Sequence, residues 1–152
     1  MKLSDKGYEL IKKFEGYSDR PYKCPAGIST IGYGNTYYPN GTKVKITDKQ
    51  ITREYANEIL AHTADGFAED VLKLVTSKIT VNQLNALTSF AYNVGVFNLQ
   101  KSTLLKLVNI NPNDGNIAKE FLKWNKANGK VLNGLTNRRI AESALYFTKW
   151  DI

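Results

Sequence analysis

The sequence predicts an α+β fold of two lobes: a small antiparallel sheet lobe and a mainly helical C-terminal lobe, joined by a long helix. Three changes of pattern predict it. Leu3, Tyr8, Ile11 and Phe14 fall on a helical stripe that Gly16 ends. From Tyr22 to Val44 the chain turns to short β-branched and aromatic pieces, broken by Pro25-Ala26-Gly27, Gly32, Gly34 and Pro39-Asn40-Gly41. Beyond Tyr55 the three-and-four spacing of apolar residues returns. A chain of 152 residues holds one core or two small lobes sharing a helix, not two independent domains. A single domain over 1–152 is expected, with residues of about 15–60 in the sheet lobe and 1–14 with 61–152 in the helical lobe.

Ser4 and Asp5 make a helix start, which places Glu15 in the last turn of the first helix. Asn40-Gly41 is a hairpin signal, and a sheet this small must lean on helices. Thr47 with Gln50 resembles a capping box, and Ile51-Thr52 offers a second start for a long helix or kinked pair reaching Val75. Thr80 with Gln83 caps a central buried helix ending at Gly95, and Ser102-Thr103 starts a short one. Ile117, Phe121, Leu122 and Trp124 mark the next, followed by turns at Asn128-Gly129 and Asn133-Gly134. The last helix is expected over 136–150, with Arg138 and Arg139 in its first turns and Ile140, Ala144, Leu145 and Phe147 facing inward.

Lys plus Arg number 21 against 14 Asp plus Glu, a formal charge of +7 that favours a polyanionic partner such as nucleic acid, an anionic membrane face or an acidic wall polymer. The lysines are scattered and carry no recognition-helix or base-stacking motif, so specific nucleic-acid binding is not expected. One Cys and one His, Cys24 and His62, exclude an internal disulfide and give no metal-ligand set; neither metal nor cofactor is expected. The chain is expected not to be membrane-embedded, and Met1 to Phe14, charged and periodic, does not read as a secretory leader.

Glu15, Cys24 and Thr30 are the candidate catalytic residues. A carboxylate at the carbonyl end of a helix is disfavoured by the dipole, and partial burial favours its acid form as well. A protonated Glu facing a sulfur and a hydroxyl suits acid-assisted cleavage of an acetal, with Glu15 protonating the leaving oxygen and Thr30 holding a water. A Cys-His hydrolase pairing with His62 is disfavoured, because His62 lies in the long helical stretch and no nucleophile elbow surrounds Cys24. Gly32, Tyr33, Gly34 and Asn93 are candidate substrate contacts, the alternatives being sheet packing for Tyr33 and a helix C-cap for Asn93. Ser102 is a candidate contact or a helix cap. Arg138 either draws in anionic substrate groups or pairs with Glu15 or Glu142.

The spacing Glu15, eight residues, Cys24, five residues, Thr30, followed by Ile31-Gly32-Tyr33-Gly34, resembles the phage-type lysozymes, or endolysins. Residues 83–95, Ser102-Thr103-Leu104-Leu105, Trp124-Asn125-Lys126-Ala127 and Gly134-Leu135 leading to Arg138-Arg139 and Glu142 extend the resemblance over about 3–148. It implies hydrolysis of the β-1,4 bond between N-acetylmuramic acid and N-acetylglucosamine in bacterial peptidoglycan. It also implies a cytoplasmic stay in an infected host, a separate pore-forming holin and a monomeric enzyme. Cys24 stands where the family has Asp, which leaves three roles open: base, nucleophile or bystander. The other reading is a peptidoglycan-binding protein of weak or no activity.

Overall fold

The computed structural model describes residues 1–149. Helix α1 (Asp5–Glu15) is followed by the antiparallel strands β1 (Ser18–Lys23) and β2 (Ser29–Gly32), then by the long helix α2 (Arg53–Leu74). Helices α3 (Val81–Val94), α4 (Val96–Gln100), α5 (Thr103–Ile110) and α6 (Asn116–Leu122) come next. A two-residue-strand hairpin, β3 (Lys126–Ala127) and β4 (Lys130–Val131), leads into α7 (Asn133–Tyr146). Among the described residues no helix is long and apolar enough to cross a membrane.

Local chemistry explains most of the boundaries. Gly16 ends α1 at φ 72°, and its N–H closes on the Lys12 carbonyl. Thr52 caps α2 by accepting the Tyr55 N–H, and Thr80 with Gln83 forms the full reciprocal box on α3. Thr47 and Gln50 do not cap anything. Asp48 takes the turn before α2, accepting from the Lys45 N–H and the Tyr38 hydroxyl, while the Gln50 amide bonds Asp19 and Arg20 on β1. Gly66, exposed, does not interrupt α2. At the N-terminus of α1, Ser4 and Asn85 exchange two hydrogen bonds at 3.1 and 2.8 Å. Gly7 permits this approach, since a Cβ there would lie 2.5 Å from Asn85 Oδ1.

Two apolar clusters divide the interior. The larger surrounds α3, whose residues 82–91 are all buried; Phe90 sits edge-on between Phe121 and Trp124, with ring centroids at 5.7 and 5.5 Å. The smaller joins Ile11, Tyr33, Ala56, Leu60 and Ala64, tying β2 to α1 and α2. Helix α2 contributes to both, so one element holds the sheet and the helical bundle together.

The last helix departs from expectation at both ends. It starts at Asn133, directly after the hairpin, and stops at Tyr146; Trp150 lies outside the described residues. Its face is also rotated. Ile140 and Phe147 are 52% and 37% exposed and Ala144 faces out, whereas Arg138, Arg139, Glu142 and Tyr146 are buried. An ion network fills the interface with α3 in place of an apolar seam. Helix α4, absent from the expected set, is one five-residue turn and a half after Gly95, too short to show a period.

Candidate active site

Glu15 is the last residue of α1, and its side chain is 19% exposed. Burial raises its carboxyl above the usual range, and the Arg138 guanidinium, 3.6 Å from Oε1, pulls in the opposite direction. Arg138, 3% exposed, is itself fixed by Glu142 Oε2 at 3.2 Å and the Ser89 carbonyl at 3.1 Å. Arg139 meets Glu142 Oε1 at 2.8 Å and donates to Asn93 Oδ1 at 2.9 Å. The core of the knot is therefore two guanidinium groups around one buried carboxylate. Its excess positive charge faces Glu15.

Opposite the helix end, the glycines of the Gly32-Tyr33-Gly34 turn sit at φ 65° and 77°, and Ile31 and Asn35 close the turn by two backbone hydrogen bonds. A Cβ on Gly34 would lie 3.5 Å from the Glu15 carboxyl carbon and both its oxygens. The turn is anchored from beneath. Asn35 Nδ2 donates to the Tyr92 hydroxyl at 2.9 Å, and that hydroxyl donates to the Tyr33 carbonyl at 2.8 Å.

Cys24 opens the tight turn between β1 and β2, half-buried, with its N–H on the Ile28 carbonyl. The Ile28 N–H above all, opposed by desolvation and aided by the Ala26 N–H, the Thr30 hydroxyl and the Cys24 N–H, holds the Cys24 thiol below its usual value. Such a nest of donors suits an anion. Thr30 is 3% exposed and pairs with Tyr22 across the sheet. Its hydroxyl also lies 2.9 Å from the Ile28 carbonyl, so its one proton serves either that oxygen or the Cys24 sulfur. Tyr22 links the two walls: burial first, then the charges of Glu15 and Cys24, push its phenol up.

A groove of about 340 Å³ opens against Glu15, lined also by Phe14, Asn93, Leu132, Gly134, Leu135 and Arg138. Asn93 is exposed here, two residues before the actual C-cap Gly95. Three expected substrate contacts lie elsewhere. Tyr33 is 4% exposed, tilted against Tyr17 with ring centroids at 5.2 Å and its hydroxyl accepting from Arg53, so its ring packs the sheet against α1 and α2. Gly32 is buried against Asn35 and Ala56. Ser102 is buried, and its hydroxyl caps α5 through the Leu105 N–H while donating to the Leu99 carbonyl. Arg138, in the groove wall, pairs with Glu15 and Glu142.

The phage lysozyme family model matches residues 12–142. The chain belongs to the phage lysozyme family. As a phage lysozyme it is 42% identical over 150 residues to an endolysin of Bacillus phage B103, covering 97% of this chain but 55% of that relative's length. An endolysin structure from Escherichia coli O157:H7 phage FAHEc1 superposes with a TM-score of 0.87 at 38% identity, covering 97% of this chain and 94% of that one. The muramidase domain of SpmX from Asticaccaulis excentricus gives a TM-score of 0.84 at 33% identity, covering 97% and 98%.

Tyr22, Asn35 and Tyr92 are the residues of this phage lysozyme site that sequence pattern did not single out as functional. Their signal was hidden by distance along the chain, since Asn35 meets Tyr92 across 57 positions.

Proposed function

We propose that this chain is a peptidoglycan-hydrolysing endolysin, a glycoside hydrolase cutting the β-1,4 bond between N-acetylmuramic acid and N-acetylglucosamine. The observation that carries the reading is Glu15: a carboxyl raised by burial at a rigid helix end, with open space above it that Gly34 leaves free. In this reading the sugar strand crosses between a sheet lobe of about residues 15–60 and a helical lobe of 1–14 and 61 onward.

Glu15 gives its proton to the glycosidic oxygen as the bond from C1 to that oxygen breaks. A water on the opposite sugar face, held at Thr30 and Cys24, adds its oxygen to C1 and yields its proton to the Cys24 thiolate. The product is the muramic acid hemiacetal with inverted configuration, and solvent returns the protons to their starting places. The donor nest at Cys24 supports the base role over the bystander role, because it stabilises the form that accepts a proton. Release from the host cytoplasm through a separate pore protein, and action as a monomer, complete the proposal.

A turbidity and product assay on purified peptidoglycan tests it, with Glu15→Gln and Cys24→Ser beside the native chain. Loss of the general acid is expected to lower the rate about 10²–10⁴-fold. New reducing ends should come first as the α anomer by NMR. Full activity in Glu15→Gln, or a first-formed β anomer, overturns the acid or the inverting step respectively. Wall binding without any release of reducing ends favours the non-cleaving reading that the Cys24 substitution raises.

A further inference from the structure

A second groove, of about 530 Å³, opens on the sheet side and shares no residue with the groove at Glu15. Its size lies within the range of about 300–1,000 Å³ typical of small-molecule sites. The centre is a pair of tyrosines from distant parts of the chain. Tyr38, beside the Pro39-Asn40-Gly41 turn, and Tyr55, in the first turn of α2, lie nearly parallel at 7° with ring centroids 6.2 Å apart.

The Tyr38 ring is held by its hydroxyl, and the Tyr55 ring by its backbone anchorage in α2 and its stacking on Tyr38. The Tyr38 hydroxyl donates to Asp48 Oδ2 at 2.7 Å, and the same oxygen accepts the Lys45 N–H at 2.8 Å. Tyr55 is part of α2, where its N–H is tied to the Thr52 cap. The hairpin beside them is fixed as well, since Asn40 Oδ1 accepts the Thr42 N–H at 2.9 Å. Around the rings stand the Asn40 amide, the Gln50 amide with its bonds to Asp19 and Arg20, and the hydroxyl of Thr42. Asp48 Oδ2 already takes two donors, and Lys49 is the one cation among the lining residues.

An aromatic surface ringed by amides and hydroxyls, with little net charge, matches a pyranose ring, which offers an apolar face of C–H groups and an equatorial belt of hydroxyls. It matches neither a polyphosphate, which needs clustered guanidinium or ammonium groups, nor an acyl chain, which needs no polar rim. We propose that the Tyr38–Tyr55 groove is a second glycan-binding site, which holds an uncleaved stretch of peptidoglycan sugar chain while Glu15 works on another. This rests on the reading of the chain as a peptidoglycan hydrolase. Its consequence is avidity: a polymer held at one point stays at high effective concentration at the other, without any change in the chemical step.

Two measurements test it, both on protein carrying Glu15→Gln so that the wall stays intact. In the first, co-sedimentation with purified peptidoglycan is compared with and without Tyr55→Ala. Loss of the aromatic is expected to weaken binding about fivefold or more, and Tyr55→Trp should restore it. In the second, the N-acetylglucosamine trimer is titrated into the parent by NMR. Shifts are expected in the Asn40 and Gln50 side-chain amides, and these should vanish with Tyr55→Ala.

On the otherwise native chain, Tyr55→Ala should slow clearing of whole walls while leaving turnover of a short soluble oligosaccharide unchanged. Equal wall affinity with and without Tyr55, no amide shifts at Asn40 and Gln50, or an equal slowing of soluble and insoluble substrate overturns the second site. The native chain's turnover of the soluble substrate is read separately. Its absence overturns the hydrolase reading, whatever the groove binds.

Discussion

Gly34→Ala separates backbone strain from chemistry, because Gly129 supplies a matched reference. Both glycines sit at φ 77°, where a side chain is strained by about 1–2 kcal/mol. A Cβ at Gly129 meets nothing within 4 Å, whereas at Gly34 it stands 3.5 Å from all three Glu15 carboxyl atoms. Both variants should therefore lose a similar amount of stability, a fall of about 2–8 °C in Tm for a domain of this size. Only Gly34→Ala places a methyl group where a leaving oxygen must approach the acid. Displacing a reacting group by about 1 Å costs as much as 10²-fold, so kcat/KM on a soluble oligosaccharide should fall by about that factor. The methyl also removes solvent from the carboxyl and raises it further. Glu15 must be protonated to act, and activity is lost as pH rises through its pKa, so the alkaline limb of the rate profile should move to higher pH. Thermal denaturation and a pH–rate profile of both variants decide the matter. If Gly34→Ala and Gly129→Ala show the same kcat/KM and the same alkaline limb, the Glu15 carboxyl does not do its work on the face that Gly34 leaves open.

Arg138→Met removes the cation that lowers Glu15 and leaves Glu142 with Arg139 alone; a loss of about 3 kcal/mol in urea unfolding is expected, the low end for a broken buried pair, with the alkaline limb again moving up. A limb moving down would contradict the electrostatic assignment. Glu15 itself should make stability fall as pH rises. Its folded carboxyl is raised, so between the ordinary carboxylate value and the folded one the native state holds more protons than the unfolded state. Glu15→Gln removes that slope, and its stability relative to the native chain should be higher at pH 7 than at pH 4; the reverse order refutes the burial argument. Cys24, held below its usual value chiefly by the Ile28 N–H, should be alkylated by iodoacetamide with a midpoint below that of a free thiol measured alongside. A midpoint at or above the free thiol's would remove the donor nest.

What the sequence disclosed was local. The stops at Gly16 and Gly95, the box of Thr80 with Gln83 and the caps at Thr52 and Ser102 each depend on a few neighbouring residues, and each is present in the fold. Misread positions were those whose partners lie far away. Tyr33 looks like a groove residue by its place beside two glycines, yet it faces Tyr17 and Arg53. The inward face of α7 cannot be found by apolar spacing, because its buried side chains are Arg138, Arg139 and Glu142. Glu15, Cys24 and Thr30, the acid, sulfur and hydroxyl of the proposed mechanism, stand out in the sequence by residue type, by the helix-end place of Glu15 and by their eight- and five-residue spacing. That Tyr22 feels two of them required the strand register, including the irregularity between Ser18 and Tyr22 around Pro21.

The knot of Arg138, Arg139 and Glu142 also links the two ends of the chain. Glu15 lies near the start of the chain, but the cation that opposes the effect of its burial stands on the last helix, more than 120 positions later. Without α7, Glu15 has no guanidinium beside it. Arg138, Arg139 and Glu142 all stand on α7, so the docking of that one helix on α3 delivers the whole charge knot at once.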